Sequence, residues 1–192
     1  DLTLAIAMLP LLLPVITVLW LLTRRDGGPG FFGHRRVGRN GKSFRCWKIR
    51  TMVVDAEAKL QQHLADNPEA AAEWARDHKL TNGPRITRIG NFLRRTSLDE
   101  LPQIWNVLKG EMSFVGPRPV TRVEMKKYGF YRTAYLSMRP GITGLWQVSG
   151  RNDVSYDERV RMDVQYLSDA SLANDLKLIL GTGMAVLGST GR

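Results

Sequence analysis

The sequence predicts a mainly helical α+β fold in which an apolar N-terminal segment leads into one compact domain with a small β-hairpin. Three observations carry this prediction: an apolar run over residues 2–22, a hairpin turn signal at Asn40-Gly41, and helical patterns in the remaining chain. We place the boundary so that residues 1–23 form a membrane segment and residues 24–192 form the domain. A domain of this size can bury its own core.

The apolar segment is long enough to cross a bilayer, but it contains Pro10 and Pro14. At helical rise, residues 2–22 would cover about 30 Å, which is the thickness of a hydrocarbon core. Pro14 removes a backbone donor near the middle, and in lipid such a break must be satisfied locally or avoided by turning back. The prolines favour a re-entrant hairpin with its break at Pro14 over a straight span, and sequence physics alone separates the two weakly.

Positive charge is concentrated directly after this segment. Nine Lys or Arg residues between Arg24 and Arg50 stand against one acid, Asp26, in a chain of net charge +10. Basic residues beside a membrane segment mark its cytoplasmic side and attract anionic head groups. We therefore expect the domain on the cytoplasmic face of the membrane.

Cys46 is the only cysteine, so an intrachain disulfide is excluded, which agrees with a reducing compartment.

The elements of the domain follow from local signals. The hairpin turn at Asn40-Gly41 precedes a strand over residues 43–50, and residues 52–65 and 67–80 have helical patterns. The C-terminal residues 172–187 carry an apolar stripe on a helix too polar to span a bilayer. This stripe fits either an interfacial amphipathic helix or a terminal helix packed on the core.

The candidate chemistry centres on two adjacent acids, Asp99 and Glu100. Ser97 and Glu100 fit a capping box, which would place both acids in the first turn of a helix. Pro102 fits better at the first helical position, so the helix could instead begin near Leu101 with the acids on the preceding turn. Helix capping alone would explain such a pair, so the surrounding residues decide its meaning.

Arginines flank the pair within 25 residues, from Arg94 on one side to Arg118 on the other. A carboxylate can attack phosphorus, a second carboxylate can hold a divalent cation, and guanidinium groups can clamp phosphate oxygens. The arrangement therefore indicates phosphate chemistry.

Several motifs follow one another along nearly the whole chain. They begin with the apolar segment around Pro14 and continue with Arg36-Val37-Gly38, Lys48-Ile49-Arg50-Thr51-Met52, Arg85-Ile86-Thr87-Arg88-Ile89-Gly90, Ser97-Leu98-Asp99-Glu100-Leu101-Pro102-Gln103, Asn106-Val107-Leu108-Lys109-Gly110-Glu111-Met112-Ser113, Val115-Gly116-Pro117-Arg118-Pro119, Arg139-Pro140-Gly141-Ile142-Thr143-Gly144 and Gln147-Val148-Ser149-Gly150-Arg151-Asn152. Together they resemble the bacterial sugar transferase family, the monotopic polyprenyl-phosphate sugar-1-phosphate transferases, and in particular its short exopolysaccharide-type members.

The resemblance implies a re-entrant membrane helix broken at Pro14 and a catalytic domain whose amphipathic helices rest on the cytoplasmic leaflet of the bacterial inner membrane. It also implies a reaction. Asp99 would attack the sugar-linked phosphate of a UDP-sugar, with galactose or glucose as the expected sugar, and release UMP. Undecaprenyl phosphate would then take the phosphosugar from Asp99. This transfer would be the first membrane step in exopolysaccharide, O-antigen or glycan synthesis.

The residue chemistry supports these expectations. Glu100 beside Asp99 would hold Mg²⁺, which binds one or two carboxylates together with substrate phosphates. Arg118, whose backbone is limited by two neighbouring prolines, is the strongest candidate for a phosphate clamp. The further phosphate-binding candidates, each of which could instead be a surface charge, are Arg94, Lys48, Arg50 and Arg88.

Two departures from the family pattern concern only contacts to the donor: His34 replaces a more common Gln, and Gly83 replaces an acid.

A non-catalytic basic scaffold that binds anionic lipid or assembly partners is the main alternative, with Asp99 and Glu100 as caps. A nucleic-acid binder fits the charge, but no zinc-finger spacing or RNA-binding aromatic motif is present, so we expect no nucleic acid as a partner. A polytopic transferase that acts through a ternary complex would need more than one membrane segment. A homodimer is left open.

Overall fold

The computed structural model describes residues 1–77, 80, 83–149 and 154–187, and over these residues it has the expected mainly helical α+β architecture. The strands are β1 (Phe31–Val37), β2 (Ser43–Ile49), β3 (Ser113–Val115) and β4 (Gly141–Thr143). The helices are α1 (Leu2–Thr23), α2 (Ala56–Asp66), α3 (Pro68–Asp77), α4 (Arg88–Arg95), α5 (Ile104–Leu108), α6 (Arg122–Met125), α7 (Arg132–Ser137), α8 (Leu145–Ser149), α9 (Tyr156–Asp169) and α10 (Leu172–Leu187).

The predicted β-hairpin is confirmed. Strands β1 and β2 pair antiparallel, with Phe31 opposite Ile49 and Val37 opposite Ser43. The turn between them places Asn40 at φ 57° and Gly41 at φ 75°, the left-handed region that these two residue types tolerate best. The local sequence therefore sets this part of the fold.

A second, parallel sheet of β3 and β4 was not predicted. Its strands have three residues each and lie far apart in the chain, so they produce no local pattern. Close backbone packing here requires glycine, because a Cβ atom on Gly141 would lie 2.2 Å from the nitrogen of Gly116. This sheet supports the segment that leads to Arg118.

Helix α1 is continuous through Pro10 and Pro14, so the re-entrant hairpin predicted from Pro14 is not confirmed. One turn beyond that proline, the hydroxyl of Thr17 donates to the carbonyl of Leu13 (2.8 Å). This is the usual bond of a helical threonine to the carbonyl four residues earlier, and in the structure Pro14 does not force a reversal of the chain. Within the described residues, this is the helix that is long and apolar enough to cross a membrane.

Both ends of α1 contact the domain. Asp1 Oδ1 accepts hydrogen bonds from Ser113 Oγ (2.9 Å) and Phe114 N (3.1 Å), and the carbonyl of Thr23 accepts one from Arg50 Nη2 (3.1 Å). Ala5, Ile16 and Leu19 on the inner side are buried. The helix therefore lies along the domain. Its outer apolar side chains are exposed: Leu2, Leu4, Ile6, Leu11, Leu13, Val15, Val18 and Leu21.

Helices α2 and α3 confirm the two helices predicted between residues 52 and 80, with later starts and with residues 78 and 79 outside the described part.

Helix α10 confirms the predicted C-terminal helix. Its apolar residues divide into some that pack on the core and others that are exposed. Leu178 is buried in a core cluster with Val115 and Tyr166, whereas a row spaced by four residues is exposed: Leu172, Leu176, Leu180 and Met184. Contact of that row with a membrane stays a prediction.

Candidate active site

Asp99 and Glu100 lie in a 3₁₀ turn, Leu98–Gln103, that leads directly into α5. The predicted capping box is wrong, because Ser97 adopts a left-handed conformation (φ 56°) and its side chain caps nothing. The alternative, in which the acids sit on a turn just before the helix, is the observed one. Burial and the neighbouring charges together therefore decide their ionisation.

Strand β2 brings Lys48 to both acids. The Nζ atom of Lys48 donates to Glu100 Oε1 (2.6 Å) and lies 3.5 Å from Asp99 Oδ2. All three side chains are largely covered, and Asp99 is only 7% exposed. The structure thus places Lys48 beside the carboxylate pair, and its predicted part in phosphate binding stays a prediction.

Asn106 on α5 holds β2 in register with the turn that carries the acids. Its Oδ1 accepts from the backbone nitrogen of Trp47 (3.1 Å), and its Nδ2 donates to the carbonyl of Arg45 (2.7 Å) and to Glu111 (2.7 Å). These side-chain bonds take the place of the backbone bonds that a neighbouring strand would make to β2. They fix Trp47, the residue before Lys48. Asn106 is completely buried, so its amide must be fully paired.

The two carboxyls respond differently to the site. Burial raises the pKa of Asp99 above its ordinary value, opposed by the charge of Lys48 and reinforced by that of Glu100. Burial also disfavours the charged form of Glu100, but the charges of Lys48 and Arg118 and hydrogen bonds from Lys48 and Gln103 outweigh it and lower its pKa. Glu100 is therefore the more firmly ionised member of the pair.

Helix α4 presents Arg94 to the pair. The Nε atom of Arg94 donates to Thr51 Oγ1 (2.9 Å), and its charge interacts with that of Asp99. This packing requires Gly90, because a Cβ atom there would lie 2.0 Å from the carbonyl oxygen of Thr51. Thr51 thus holds the guanidinium of Arg94 through its Nε atom.

Arg118 is exposed on the otherwise largely buried loop between β3 and α6, and its charge lowers the pKa of Glu100. Among the described residues, no ion pair or hydrogen bond occupies its guanidinium. Within the described part of the chain its donors are therefore open to a phosphate, and the clamp role of Arg118 stays a prediction.

Two other predicted phosphate-binding residues are not brought to the pair. Arg50 is buried, and its guanidinium donates to Pro29 O (2.6 Å), to Thr23 O (3.1 Å), to Met52 O and to the carboxylate of Asp26. These contacts fasten the end of α1 to the end of β2, so we do not carry Arg50 into the phosphate site. Arg88 is exposed in the first turn of α4. Arg88 lies six positions before Arg94, which puts the two on different faces of the helix.

A family model described as bacterial sugar transferase matches residues 1–189. The chain belongs to this family. Over 187 residues, or 97% of the chain, it is 52% identical to a UDP-galactose-lipid carrier transferase of Erwinia amylovora. Over the same share it is 50% identical to an undecaprenyl-phosphate galactose phosphotransferase of Salmonella typhimurium. The chain spans 39% of the length of each of these two relatives. It is also 47% identical over its whole length to the exopolysaccharide production protein ExoY of Sinorhizobium fredii, of which it covers 85%.

The family assignment confirms the resemblance found in the sequence, and it directs attention to the metal expected for this sugar transferase domain. In the described part of the chain, no group of three or more His, Cys, Asp or Glu residues could hold a metal ion. The available ligands are the carboxylates of Asp99 and Glu100. This set fits Mg²⁺ only as a site shared with substrate, because Mg²⁺ completes its shell with phosphate oxygens and water.

Sequence reasoning on this transferase domain missed Asn106 and Gln103 as parts of the site. Gln103 is 2% exposed and donates to Glu100, and its Oε1 has no partner within the described part of the chain. Its position three residues after Glu100 on the same turn was a usable signal. Asn106 opens one of the family motifs, but no local pattern indicated its contacts, because its partners on β2 lie about 60 residues earlier. Gly150, Arg151 and Asn152 of the last motif lie outside the described residues.

Proposed function

We propose that the chain transfers a sugar 1-phosphate from a UDP-sugar to undecaprenyl phosphate and releases UMP. The observation that carries this proposal is the largely covered pair of Asp99 and Glu100 bridged by Lys48, with the charge of Arg94 acting on Asp99 and that of Arg118 on Glu100. The names of the Erwinia and Salmonella relatives supply the donor and the acceptor, and they favour galactose as the first sugar to test, before glucose. The likeness to ExoY supports a place in exopolysaccharide synthesis.

In the first step, a carboxylate oxygen of Asp99 attacks the phosphorus that carries the sugar. A bond forms between that oxygen and phosphorus, the bond from phosphorus to the bridging oxygen breaks, and UMP leaves with the bonding electrons. Arg94 and Arg118 stabilise the negative charge on the phosphate oxygens. Lys48 already contacts both carboxylates and can move one hydrogen bond to a phosphate oxygen when donor binds.

In the second step, an oxygen of undecaprenyl phosphate attacks the same phosphorus. The bond between phosphorus and Asp99 breaks, the carboxylate is regenerated, and a polyprenyl diphosphate sugar forms. Division into two displacements lets a water-soluble donor and a lipid acceptor use one pocket in turn.

Glu100 serves this reaction as the charged neighbour of Asp99. Because the surrounding cations lower its pKa, it is ionised when the donor arrives. We assign Glu100, together with Asp99 and the donor phosphates, to the binding of Mg²⁺. When bound there, the metal neutralises charge on the diphosphate and on the departing UMP.

The anchor in this proposal is α1, held in one leaflet on the cytoplasmic side of the bacterial inner membrane. Its row of exposed apolar side chains suits lipid, and its two ends both contact the same domain, which suits a helix that stays on one side better than one that crosses. Arg24 packs over the ring of Trp20 at 4.8 Å near the end of the helix. Trp and Arg at such a position are typical of the boundary between lipid and water.

The decisive experiment looks for the phosphosugar on the protein. Purified chain in detergent is mixed with Mg²⁺ and UDP-galactose labelled in the sugar-linked phosphate, without acceptor. We expect protein-bound label and an equal amount of UMP, and loss of the label to lipid when undecaprenyl phosphate is added.

Two variants give this experiment its control. Asp99→Asn keeps the shape of the side chain but removes the nucleophile, so it should carry no label. Asp169→Asn changes an exposed acid at the end of α9 and should label like wild type. Label on Asp99→Asn, or transfer to lipid without any labelled protein, would reject the aspartyl intermediate. Absence of UMP release from either UDP-sugar would leave the basic scaffold as the better account.

A further inference from the structure

The loop that carries Arg118 is held on both sides by backbone hydrogen bonds. On the first side, Gly116 N donates to Thr143 O (2.9 Å) and Gly141 N donates to Pro117 O (2.9 Å). These bonds continue the parallel sheet of β3 and β4 to the residue just before Arg118. The second side is attached to a different part of the molecule.

On that second side, Val120 forms an isolated antiparallel bridge with Val37, the last residue of β1. Val37 N donates directly to Val120 O (2.9 Å). The reciprocal bond is relayed through a side chain, because the hydroxyl of Tyr135 accepts from Val120 N (3.2 Å) and donates to Val37 O (2.9 Å). One hydroxyl therefore completes the attachment of the Arg118 loop to the hairpin that carries Lys48.

The surroundings of Tyr135 leave little freedom for this hydroxyl. Tyr135 on α7 is 1% exposed, and its ring packs edge-on against Tyr128 with 5.0 Å between centroids. Val37 and Val120 are buried as well. Without the hydroxyl, one buried N–H group and one buried carbonyl would lose their partner, and the loop could regain those bonds only by moving.

We propose that Tyr135 is a positioning residue for Arg118. Its hydroxyl fixes the end of the Arg118 loop against β1, and thereby the place from which the guanidinium reaches the donor diphosphate. This inference rests on the proposed function of Arg118 as a phosphate clamp. It assigns Tyr135 no contact with substrate.

A double-mutant cycle on nucleotide binding tests the proposal. Binding of UDP to the detergent-purified chain is measured by calorimetry for wild type, Tyr135→Phe, Arg118→Ala and the double variant. We expect Tyr135→Phe to weaken UDP binding about tenfold when Arg118 is present and less than about twofold when it is absent, the range of coupling seen for interacting residues. Tyr156→Phe is the matched control, since it removes a tyrosine hydroxyl that donates to the carbonyl of Glu124 (3.2 Å) and should change UDP binding less than twofold.

Hydrogen exchange supplies a readout that does not depend on nucleotide. In Tyr135→Phe, the amide of Val120 should exchange faster than in wild type, whereas the amide of Gly116 should be unchanged. An equal loss of UDP affinity from Tyr135→Phe in both backgrounds would overturn the proposal, because it would show an effect that does not act through Arg118. If Arg118→Ala alone binds UDP like wild type, the clamp role of Arg118 and this inference both fail, while label on Asp99 would still establish the transfer reaction.

Discussion

Replacement of Lys48 by methionine removes the ammonium group that contacts both carboxylates while it keeps an unbranched side chain. Its nitrogen lies 2.6 Å from Glu100 Oε1 and 3.5 Å from Asp99 Oδ2. At an effective dielectric constant of about 20, these distances correspond to gross attractions of about 6 and about 5 kcal/mol. Most of that attraction offsets the desolvation of the three groups.

Removal of one partner from a fully buried ion pair costs about 3–5 kcal/mol. Here the side chains of Lys48, Asp99 and Glu100 are 28%, 11% and 21% exposed, so solvent screens part of the effect. We expect Lys48→Met to lower the free energy of unfolding by about 2 kcal/mol at pH 7. For a chain of this size, that corresponds to a fall of about 4–8 °C in melting temperature.

The stability that Lys48→Met loses should become smaller as the pH falls. Without Lys48, burial and repulsion from Glu100 raise the folded-state pKa of Asp99 further above its unfolded value. Such a group binds protons more readily in the folded state, so the variant regains stability as the pH falls through the raised pKa. The difference between wild type and Lys48→Met should therefore shrink between pH 7 and pH 5.

Thermal unfolding in detergent, followed by circular dichroism at both pH values, measures the effect. Lys59→Met on the exposed side of α2 is the control, and we expect no change beyond about 0.5 kcal/mol there. Equal melting temperatures of Lys48→Met and wild type at pH 7, or a difference that does not change with pH, would refute the reasoning about the charge balance of the site.

Two further predictions concern the metal and the packing of α4. Glu100→Gln should raise the Mg²⁺ concentration needed for half-maximal labelling of the protein by UDP-galactose, by about tenfold or more, since even indirect partners of metal ligands change affinity by about 10–100-fold; an unchanged Mg²⁺ titration would remove Glu100 from the metal site. Gly90→Ala should destabilise the chain by about 1–3 kcal/mol, because its Cβ would meet the carbonyl of Thr51 at 2.0 Å. Gly183→Ala on α10, where a Cβ would meet nothing within 4 Å, is the matched control, and similar melting temperatures for the two variants would contradict the packing argument.

Much of the fold was predictable because its signals are local. The turn at Asn40-Gly41 needs only the left-handed tolerance of those two residues, and the start of α3 at Pro68 needs only a fixed φ. The parallel pairing of β3 with β4 escaped prediction, because its strands join segments about 28 residues apart and contain too few residues for a period to appear. Pro14 could not be interpreted from the local sequence either, because whether α1 bends there or stays straight depends on its contacts with the domain.

In the site, the acids were predictable and their partners only partly so. Lys48 and Arg50 belong to one motif, and an extended strand would put both on one face. Strand β2 ends at Ile49, so this alternation stops before Arg50, which turns to the end of α1. Lys48 therefore reaches Asp99 and Glu100, whereas Arg50 connects the end of β2 to the end of α1.

The sequence by itself determined the family, the adjacency of Asp99 to Glu100 and the supply of basic groups, because motif order and covalent neighbours are written in the chain. Only the tertiary structure decided which cations meet the acids, and that choice made Glu100 the more firmly charged of the two. The reason is physical. A charge acts over a few ångströms, and the cations that act on the pair come from separate segments: Lys48 on β2, 51 positions before Asp99, Arg94 on α4 and Arg118 in the loop after β3.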